Sequence, residues 1–110
     1  MNTEVIEQPV QTENELKIDL LQLKKAALIL RAINHKLRQQ IVKLIHESGK
    51  LTVTEIYIKL RLEQSVASQH LAILRKAGFV TTIRDGKFIY YSVDYKQLEH
   101  IHASVYELLK

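Results

Sequence analysis

Cysteine is absent from this 110-residue chain, and its absence excludes disulfide bonds, thiolate metal ligands and thiol redox switches together. Long apolar runs are absent too. The longest, residues 26–30, is far shorter than the run of about 20 residues that spans a bilayer. The acidic N-terminus also has no apolar segment of the kind that a signal peptide needs. These absences predict a cytoplasmic protein with no membrane partner.

Catalytic and cofactor-binding motifs are absent as well. Serine, histidine and aspartate residues occur, but at no spacing that forms a nucleophile elbow, a phosphate-binding loop or a metal-binding motif. We therefore expect a protein that is not an enzyme and that has no cofactor.

Charge is distributed unevenly along the chain. Residues 1–15 contain four glutamates and no basic residue, whereas residues 16–110 contain all 16 lysines and arginines and the remainder of the 12 acidic residues. A basic body is the electrostatic footprint of a protein that binds a polyanion. Residues 1–13 are polar and lack periodicity, so we predict a flexible tail there and one folded domain over residues 14–110.

Apolar residues at helical spacing predict a first helix with two apolar faces. One face contains Leu16, Leu20, Leu23, Ala27 and Leu30, and the other contains Leu21 and Leu28. A helix that is apolar on two sides is usually covered on two sides. We expect its own domain to cover one face and a partner chain to cover the other.

Three more helices follow in the sequence. Asn34 is placed to cap the second helix, which ends at Ser48-Gly49. The run from Thr52 to Glu55 is a capping box, with Leu51 and Ile56 as its hydrophobic staple, and it starts a short third helix that reaches about Arg61. The fourth helix covers residues 64–77.

The periodicity then changes from helix to strand and back to helix. Residues 80–93 are rich in β-branched and aromatic residues around Asp85-Gly86, a strong hairpin signal. A last helix carries a seam of apolar residues at steps of three, four and three, namely Leu98, Ile101, Val105 and Leu108. The predicted order is α-α-α-α-β-β-α, a mainly helical fold with a small β-hairpin.

The fourth helix has an unusual outer face. Ala67, Leu71 and Leu74 share one side, and the opposite side carries small or hydrogen-bonding groups with no carboxylate, namely Ser65, Ser68, Gln69 and Ala72. An ordinary exposed helix is instead rich in lysine and glutamate, which pair at i,i+4. Short polar groups suit a helix in the major groove of DNA, because they reach base edges without repelling phosphates.

Three segments, in order, resemble the winged helix-turn-helix regulators of the arsenic-repressor (ArsR/SmtB) family. Residues 65–80 are similar to the recognition helix of that family, residues 84–91 to its wing and, more loosely, residues 35–38 to its Asp-Pro-Thr-Arg turn. The resemblance covers residues 16–110. It implies a homodimer that binds a near-palindromic operator in double-stranded DNA and represses transcription until an effector, unknown here, arrives.

The resemblance also implies which residues carry these functions. Helices over residues 53–61 and 64–77 form the helix-turn-helix, and the first and last helices form the dimer interface, with Leu16, Leu20, Leu23, Ala27, Leu98, Ile101, Val105 and Leu108. Four residues match positions that contact bases: Gln64, Ser65, Ser68 and Gln69. Glutamine can bind N6 and N7 of adenine together, and serine can serve a base edge or a phosphate.

Contacts to the DNA backbone are expected from a cluster of residues around this helix and the wing: Lys59, Arg61, His70, Arg75, Lys76, Arg84 and Lys87. Such residues position a protein on DNA without reading its sequence. Ordinary alternatives stay open for single members, since each charge could belong to a solvated face. Val66 could touch a thymine methyl or pack on the third helix, and His70 is equally suited to packing at the helix-turn-helix joint.

The metal sites of the family's sensing members are not reproduced. Positions that match their ligands hold Thr52 and Thr54, and in the last helix Tyr95, Gln97 and Leu108. His100 and His102 point about 200° apart on a helix, which makes a poor chelate. We therefore expect no metal, with a site across the dimer from His102 and Glu99 as the alternative.

A second alternative is a winged helix that docks on proteins instead of DNA. It requires an apolar or acidic outer face on residues 64–76. The face found there is small, polar and flanked by basic residues, which argues against this alternative.

Overall fold

The computed structural model of the chain describes residues 16–110. The elements are α1 (Leu20–Ile33), α2 (Lys36–Ser48), β1 (Leu51–Thr52), α3 (Val53–Leu60), α4 (Gln64–Lys76), β2 (Val80–Asp85), β3 (Phe88–Val93) and α5 (Tyr95–Leu109). The predicted order of five helices and a hairpin is confirmed, with one short strand added. The predicted tail over residues 1–13 lies outside the described residues.

Two helix starts differ from the sequence prediction. Helix α1 begins at Leu20 because the Asp19 carboxylate accepts a hydrogen bond from the Gln22 backbone N–H at 3.1 Å, so Leu16 precedes the helix and is not part of its stripe. Asn34 does not cap α2. Its N–H closes α1 on the Leu30 carbonyl, which leaves His35 next to α2, where its Nδ1 accepts from the Arg38 N–H at 3.3 Å.

The capping box at α3 is confirmed. The Thr52 hydroxyl accepts from the Glu55 N–H at 3.2 Å, and the Glu55 carboxylate accepts from the Thr52 N–H at 2.9 Å. These reciprocal bonds satisfy two backbone donors that a helix start otherwise leaves unpaired. The staple residues Leu51 and Ile56 are both buried in the core.

The three strands form one antiparallel sheet in the order β1-β3-β2. Strand β1 pairs Leu51 with Tyr91 and is too short for a pattern in the sequence to reveal. In the hairpin Asp85 pairs with Phe88, so the two turn residues are Gly86 and Lys87, one residue later than predicted. Gly86 has φ of +65°, as expected for a glycine at the first position of a tight hairpin turn.

The core lies between α2, α3, α4 and the inner face of the sheet. Its largest fully buried side chains are Phe79, Ile41, Ile45, Ile56, Leu71, Leu74 and Val80. Helix α5 contributes no fully buried residue, and α1 contributes Ala32. The two outer helices therefore leave much of their apolar surface uncovered by the chain's own domain.

Among residues 16–110, no helix combines the length and the apolar character needed to cross a membrane.

Gly78 is the residue at which α4 turns into the sheet, and it generates a stability prediction. It has φ of +86°, and a Cβ there would lie 3.3 Å from Nε2 of Gln97, which donates to the Ala77 carbonyl at 2.7 Å. We expect Gly78→Ala to lower the free energy of unfolding by at least about 1–2 kcal/mol, the cost of a left-handed alanine, as measured by urea denaturation at one protein concentration.

The contact with Gln97 is tested by repeating this substitution in a Gln97→Ala background. There the three atoms nearest to the added Cβ are gone, so Gly78→Ala should cost less than it does in the parent chain. An equal cost in both backgrounds would contradict the proposed contact.

Candidate nucleic-acid interface

Packing fixes which side of α4 faces outward. Ala67, Leu71 and Leu74 are completely buried, as predicted from their spacing. The four residues expected to read bases are all exposed and lie in the first two turns of α4: Gln64, Ser65, Ser68 and Gln69. The last three point away from the buried face, whereas Gln64, seven residues before Leu71, lies on the same side as Leu71 at the exposed start of the helix. Val66 is half-buried, so the structure leaves both of its predicted roles open.

The start of α4 favours an anion. Glu63 precedes the helix but makes no side-chain capping hydrogen bond, and the first turn contains no acidic residue. Backbone N–H groups at a helix start, with the positive end of the helix dipole, bind phosphate well. The end of α4 that carries the polar residues is thus also suited to the DNA backbone.

A tight turn joins α3 to α4 at this end. Arg61 adopts a left-handed conformation with φ of +56°, and the Leu62 N–H donates to the Tyr57 carbonyl at 2.9 Å. Because the turn is short, α3 and α4 are held at a fixed mutual angle. Lys59 and Arg61 are exposed beside it, close to the start of α4 in the chain.

The hairpin carries two more of the predicted basic residues. Lys87 lies at its tip as the second turn residue, with Nζ 5.7 Å from the centre of the Phe88 ring. Arg84 is exposed on β2, opposite Ile89. The structure therefore places both predicted residues on the hairpin, and their contact with DNA stays a prediction.

Arg75 and Lys76 are separated from the polar end of α4. They are exposed in its last turn, about 17 Å along the helix axis from Gln64. The six basic residues thus form three groups, at the α3–α4 turn, at the end of α4 and on the hairpin. Within residues 16–110 the ion pair found joins Lys110 to Glu107, so none of the six is paired with a carboxylate in the described part of the chain.

His70 lies at the joint between α4 and α2. Its Nδ1 is 3.2 Å from Nη1 of Arg38, and its ring centre is 5.0 Å from that of His35. Because a guanidinium can only donate, Nδ1 must accept, which leaves the proton on Nε2. Burial, and then the nearby His35 and Arg38, lower the pKa of His70 below its ordinary value of 6.5. Nδ1 of His70 is therefore used in the hydrogen bond to Arg38. A contact between Nε2 and a DNA phosphate stays a prediction.

Arg38 is a residue whose importance the sequence analysis did not identify. It is 7 % exposed, and its guanidinium donates to the Ala32 carbonyl at 2.6 Å and to the Arg31 carbonyl at 3.1 Å. The signal that could have found it is the resemblance of residues 35–38 to the family's Asp-Pro-Thr-Arg turn, in which the arginine is the residue that matches.

The residues predicted at a dimer interface lie on two exposed apolar surfaces. Leu16, Leu20 and Leu23 are 86 %, 72 % and 58 % exposed, and Leu108 is 75 % exposed. Ala27 is also exposed, whereas the other three are half-buried and line a groove between α1, α2 and α5: Leu98, Ile101 and Val105. At the edge of this groove the Tyr95 hydroxyl lies 2.7 Å from Nδ1 of His46, a contact that the sequence did not indicate.

His100 and His102 are exposed on α5. Over the part of the chain that the structure describes, no three histidine, cysteine, aspartate or glutamate side chains come together as a metal site would require.

Comparisons with known proteins agree with this architecture. The sequence model of the bacterial regulatory protein, arsR family, matches residues 35–82, which run from the start of α2 into the hairpin. The chain is 36 % identical to a helix-turn-helix-type transcriptional regulator of Methanocaldococcus jannaschii over 76 % of its own length and 94 % of that protein.

Two relatives with stated activities are similar over much of the chain. The transcriptional repressor PagR of Bacillus anthracis is 35 % identical over 77 % of this chain and 85 % of its own. Its crystal structure superposes with a TM-score of 0.62, covering 79 % of this chain and 99 % of that one. The transcriptional activator HlyU of Vibrio cholerae is 36 % identical over 63 % of each chain.

Proposed function

The chain belongs to the arsR family of bacterial regulatory proteins and is a DNA-binding transcriptional regulator with a winged helix-turn-helix fold, and we propose that it acts as a homodimeric repressor on a near-palindromic operator. The observation that carries the proposal is the exposed start of α4, whose first two turns contain no carboxylate and are preceded in the chain by the exposed Lys59 and Arg61 and by one acidic residue, Glu63. We propose that the protein acts in the cytoplasm, where a cell without a nucleus keeps its DNA.

Base readout is assigned to the first two turns of α4. The exposed Gln64 and Gln69 have side chains long enough to reach base edges, and each can bind an adenine through two hydrogen bonds. Ser65 and Ser68 bring the helix close to the bases because their side chains are short. No carboxylate in this stretch repels the phosphates of the groove.

Backbone contacts are assigned to the three basic groups around α4. Lys87 and Arg84 on the hairpin are proposed to contact the DNA backbone beside the groove that α4 occupies. Lysine and arginine displace condensed cations from DNA, so binding through them weakens steeply as salt is added. These contacts hold the helix in position, and the glutamines distinguish one sequence from another.

A second copy of the chain is the proposed cover for α1 and α5. Every residue of α1 from Leu20 to Leu28 is exposed. This stretch contains four leucines, and the side chain of each is more than half exposed to solvent. A helix of this length without tertiary packing is only marginally stable in water. Pairing α1 and α5 with the same helices of a second chain buries this surface and brings two α4 helices onto one operator.

We propose that the dimer represses transcription when it occupies its operator, because it then covers DNA that RNA polymerase needs. Among the relatives one is named a repressor and another an activator. Whether this chain represses or activates its promoter is therefore tested directly. Deleting the gene should raise the output of a reporter fused to the operator-containing promoter. A fall in output would contradict repression. The protein-docking and histidine-metal alternatives are not favoured by these relatives.

The division between readout and positioning predicts two different mutant phenotypes. Gln69→Ala should weaken binding to the operator while leaving binding to random duplex unchanged, reducing the specificity ratio by about tenfold or more, because one bidentate base contact contributes about 1–3 kcal/mol. The measurement is a fluorescence-anisotropy titration of both duplexes at fixed salt.

Lys87→Ala is the matched comparison for this experiment. It should weaken binding to operator and random duplex alike and should reduce the salt slope by about 1 for each chain that contacts DNA. If Gln69→Ala and Lys87→Ala changed both duplexes in the same way, the assignment of readout to α4 would be wrong.

The dimer predicts a separate result at α1. Leu23→Glu places a carboxylate in the proposed interface, where an unpaired charge costs about 3–5 kcal/mol, so the dimer dissociation constant should rise by about a hundredfold or more. Sedimentation velocity over a dilution series measures it. Gln22→Glu adds the same charge to the neighbouring exposed residue, which points about 100° away from Leu23 around α1, and should leave the dimer intact. A Leu23→Glu chain that still dimerised normally would rule out this interface.

A further inference from the structure

Arg38 is the one charged side chain that is buried among the described residues. Arginine is almost never fully buried unless it is paired, and the ion pair found in residues 16–110 lies elsewhere, at Lys110 and Glu107. Backbone carbonyls take the place of a carboxylate, since Nε donates to Ala32 and Nη2 donates to Arg31. Both carbonyls belong to the last turn of α1, where a helix leaves its acceptors unpaired and has the negative end of its dipole.

The same guanidinium reaches a third helix. Its Nη1 donates to Nδ1 of His70 on α4 at 3.2 Å. The backbone N–H of Arg38 donates to Nδ1 of His35, the residue that caps the start of α2. The next residue of α2, Gln39, donates to the Ile33 carbonyl of α1 at 2.8 Å. One side chain therefore ties the end of α1 to the middle of α4 through directional hydrogen bonds.

We propose that Arg38 is a positioning residue for DNA binding, which fixes α4 relative to α1 through its hydrogen bond to His70. The inference rests on the proposed use of α4 for base readout and of α1 for dimerisation. In such a dimer the separation of the two α4 helices depends on how each is fixed to its own α1. Apolar contacts between α1 and α4 allow small shifts, whereas three hydrogen bonds from one planar group require a defined geometry.

The hydrogen bond to His70 exists only while Nδ1 is unprotonated. The groups that act on this ring are Arg38, from the first turn of α2, and His35, from the cap of the same helix. If Nδ1 of His70 took up a proton, its N–H would face the N–H of the permanently charged Arg38, and the two groups would repel each other. The hydrogen bond between Arg38 and His70 is therefore present at neutral pH and is lost in acid. Since the pKa of His70 is lowered in the folded chain, the unfolded chain takes up its proton first, and stability falls as the pH drops below 6.5.

The first experiment measures the α1–α4 distance without DNA. The chain has no cysteine, so Lys25→Cys on α1 and Ala72→Cys on α4, both exposed positions, accept a unique pair of spin labels. Lys25 points about 160° away from Leu23 around α1, outside the proposed dimer contact. Labelled chain is mixed with excess unlabelled chain, so that dimers contain one labelled copy. At pH 7.5 the distance distribution should be narrow, and Arg38→Lys, which keeps the charge but loses the fork of donors, should broaden it.

Histidine substitutions separate this role from general stability. In the parent chain the distribution should broaden as the pH is lowered from 7.5 to the lowest pH at which circular dichroism still shows a folded chain. His70→Asn keeps an acceptor close to the position of Nδ1 but does not titrate, so its distribution should stay narrow over the same pH range. His100→Asn, exposed on α5, should behave like the parent. A narrow distribution for Arg38→Lys, or an unchanged pH response in His70→Asn, would overturn the proposal.

Operator binding by the unlabelled proteins then tests the functional part. Arg38→Lys should bind about tenfold more weakly at pH 7.5, since hydrogen bonds to a charged group are lost, while circular dichroism and sedimentation show a folded chain in the parent's oligomeric state. Equal affinity would overturn the positioning role. A parent chain that bound no duplex selectively would instead contradict the proposed function, and the distance measurement would still decide the role of Arg38.

Discussion

The rotation of α4 about its own axis is the constraint on which the proposed DNA-facing surface depends. Ala67, Leu71 and Leu74 are completely buried, so turning the helix by even a third of a turn would expose leucine and bury glutamine. Burial of two leucine side chains is worth about 3–6 kcal/mol, which exceeds what a single surface contact to DNA could recover. The polar end of α4 is therefore displayed before any DNA arrives, and binding does not have to order it.

Rotation alone does not fix where α4 lies relative to the rest of the molecule. The tight turn at Arg61 sets its angle to α3, and the hydrogen bonds of Arg38 connect its middle to the end of α1. These two attachments are polar and directional, whereas the core contacts are apolar and tolerant of small displacements. The proposed dimer needs both properties, because its two reading helices would have to match the spacing of the grooves.

Patterns that are local in sequence could be predicted from the residues. The buried face of α4 and the capping box at Thr52 follow from spacing alone, and both are confirmed. Errors of one to four residues arose at Leu16, Asn34 and Asp85, where neighbouring side chains compete to end or begin an element. Strand β1 and the Arg38–His70 bond could not be found in this way, because each joins segments about 30 to 40 residues apart and depends on how the elements pack.

The most direct test of the central claim is hydroxyl-radical footprinting of the protein on an operator selected from random duplexes. Two copies of α4 held at a fixed separation predict two protected stretches on one face of the duplex, with centres one helical turn or a whole multiple of it apart, about 10–10.5 base pairs per turn. A single protected stretch, or protection that spreads evenly without this period, would contradict the account of a dimer that reads two half-sites.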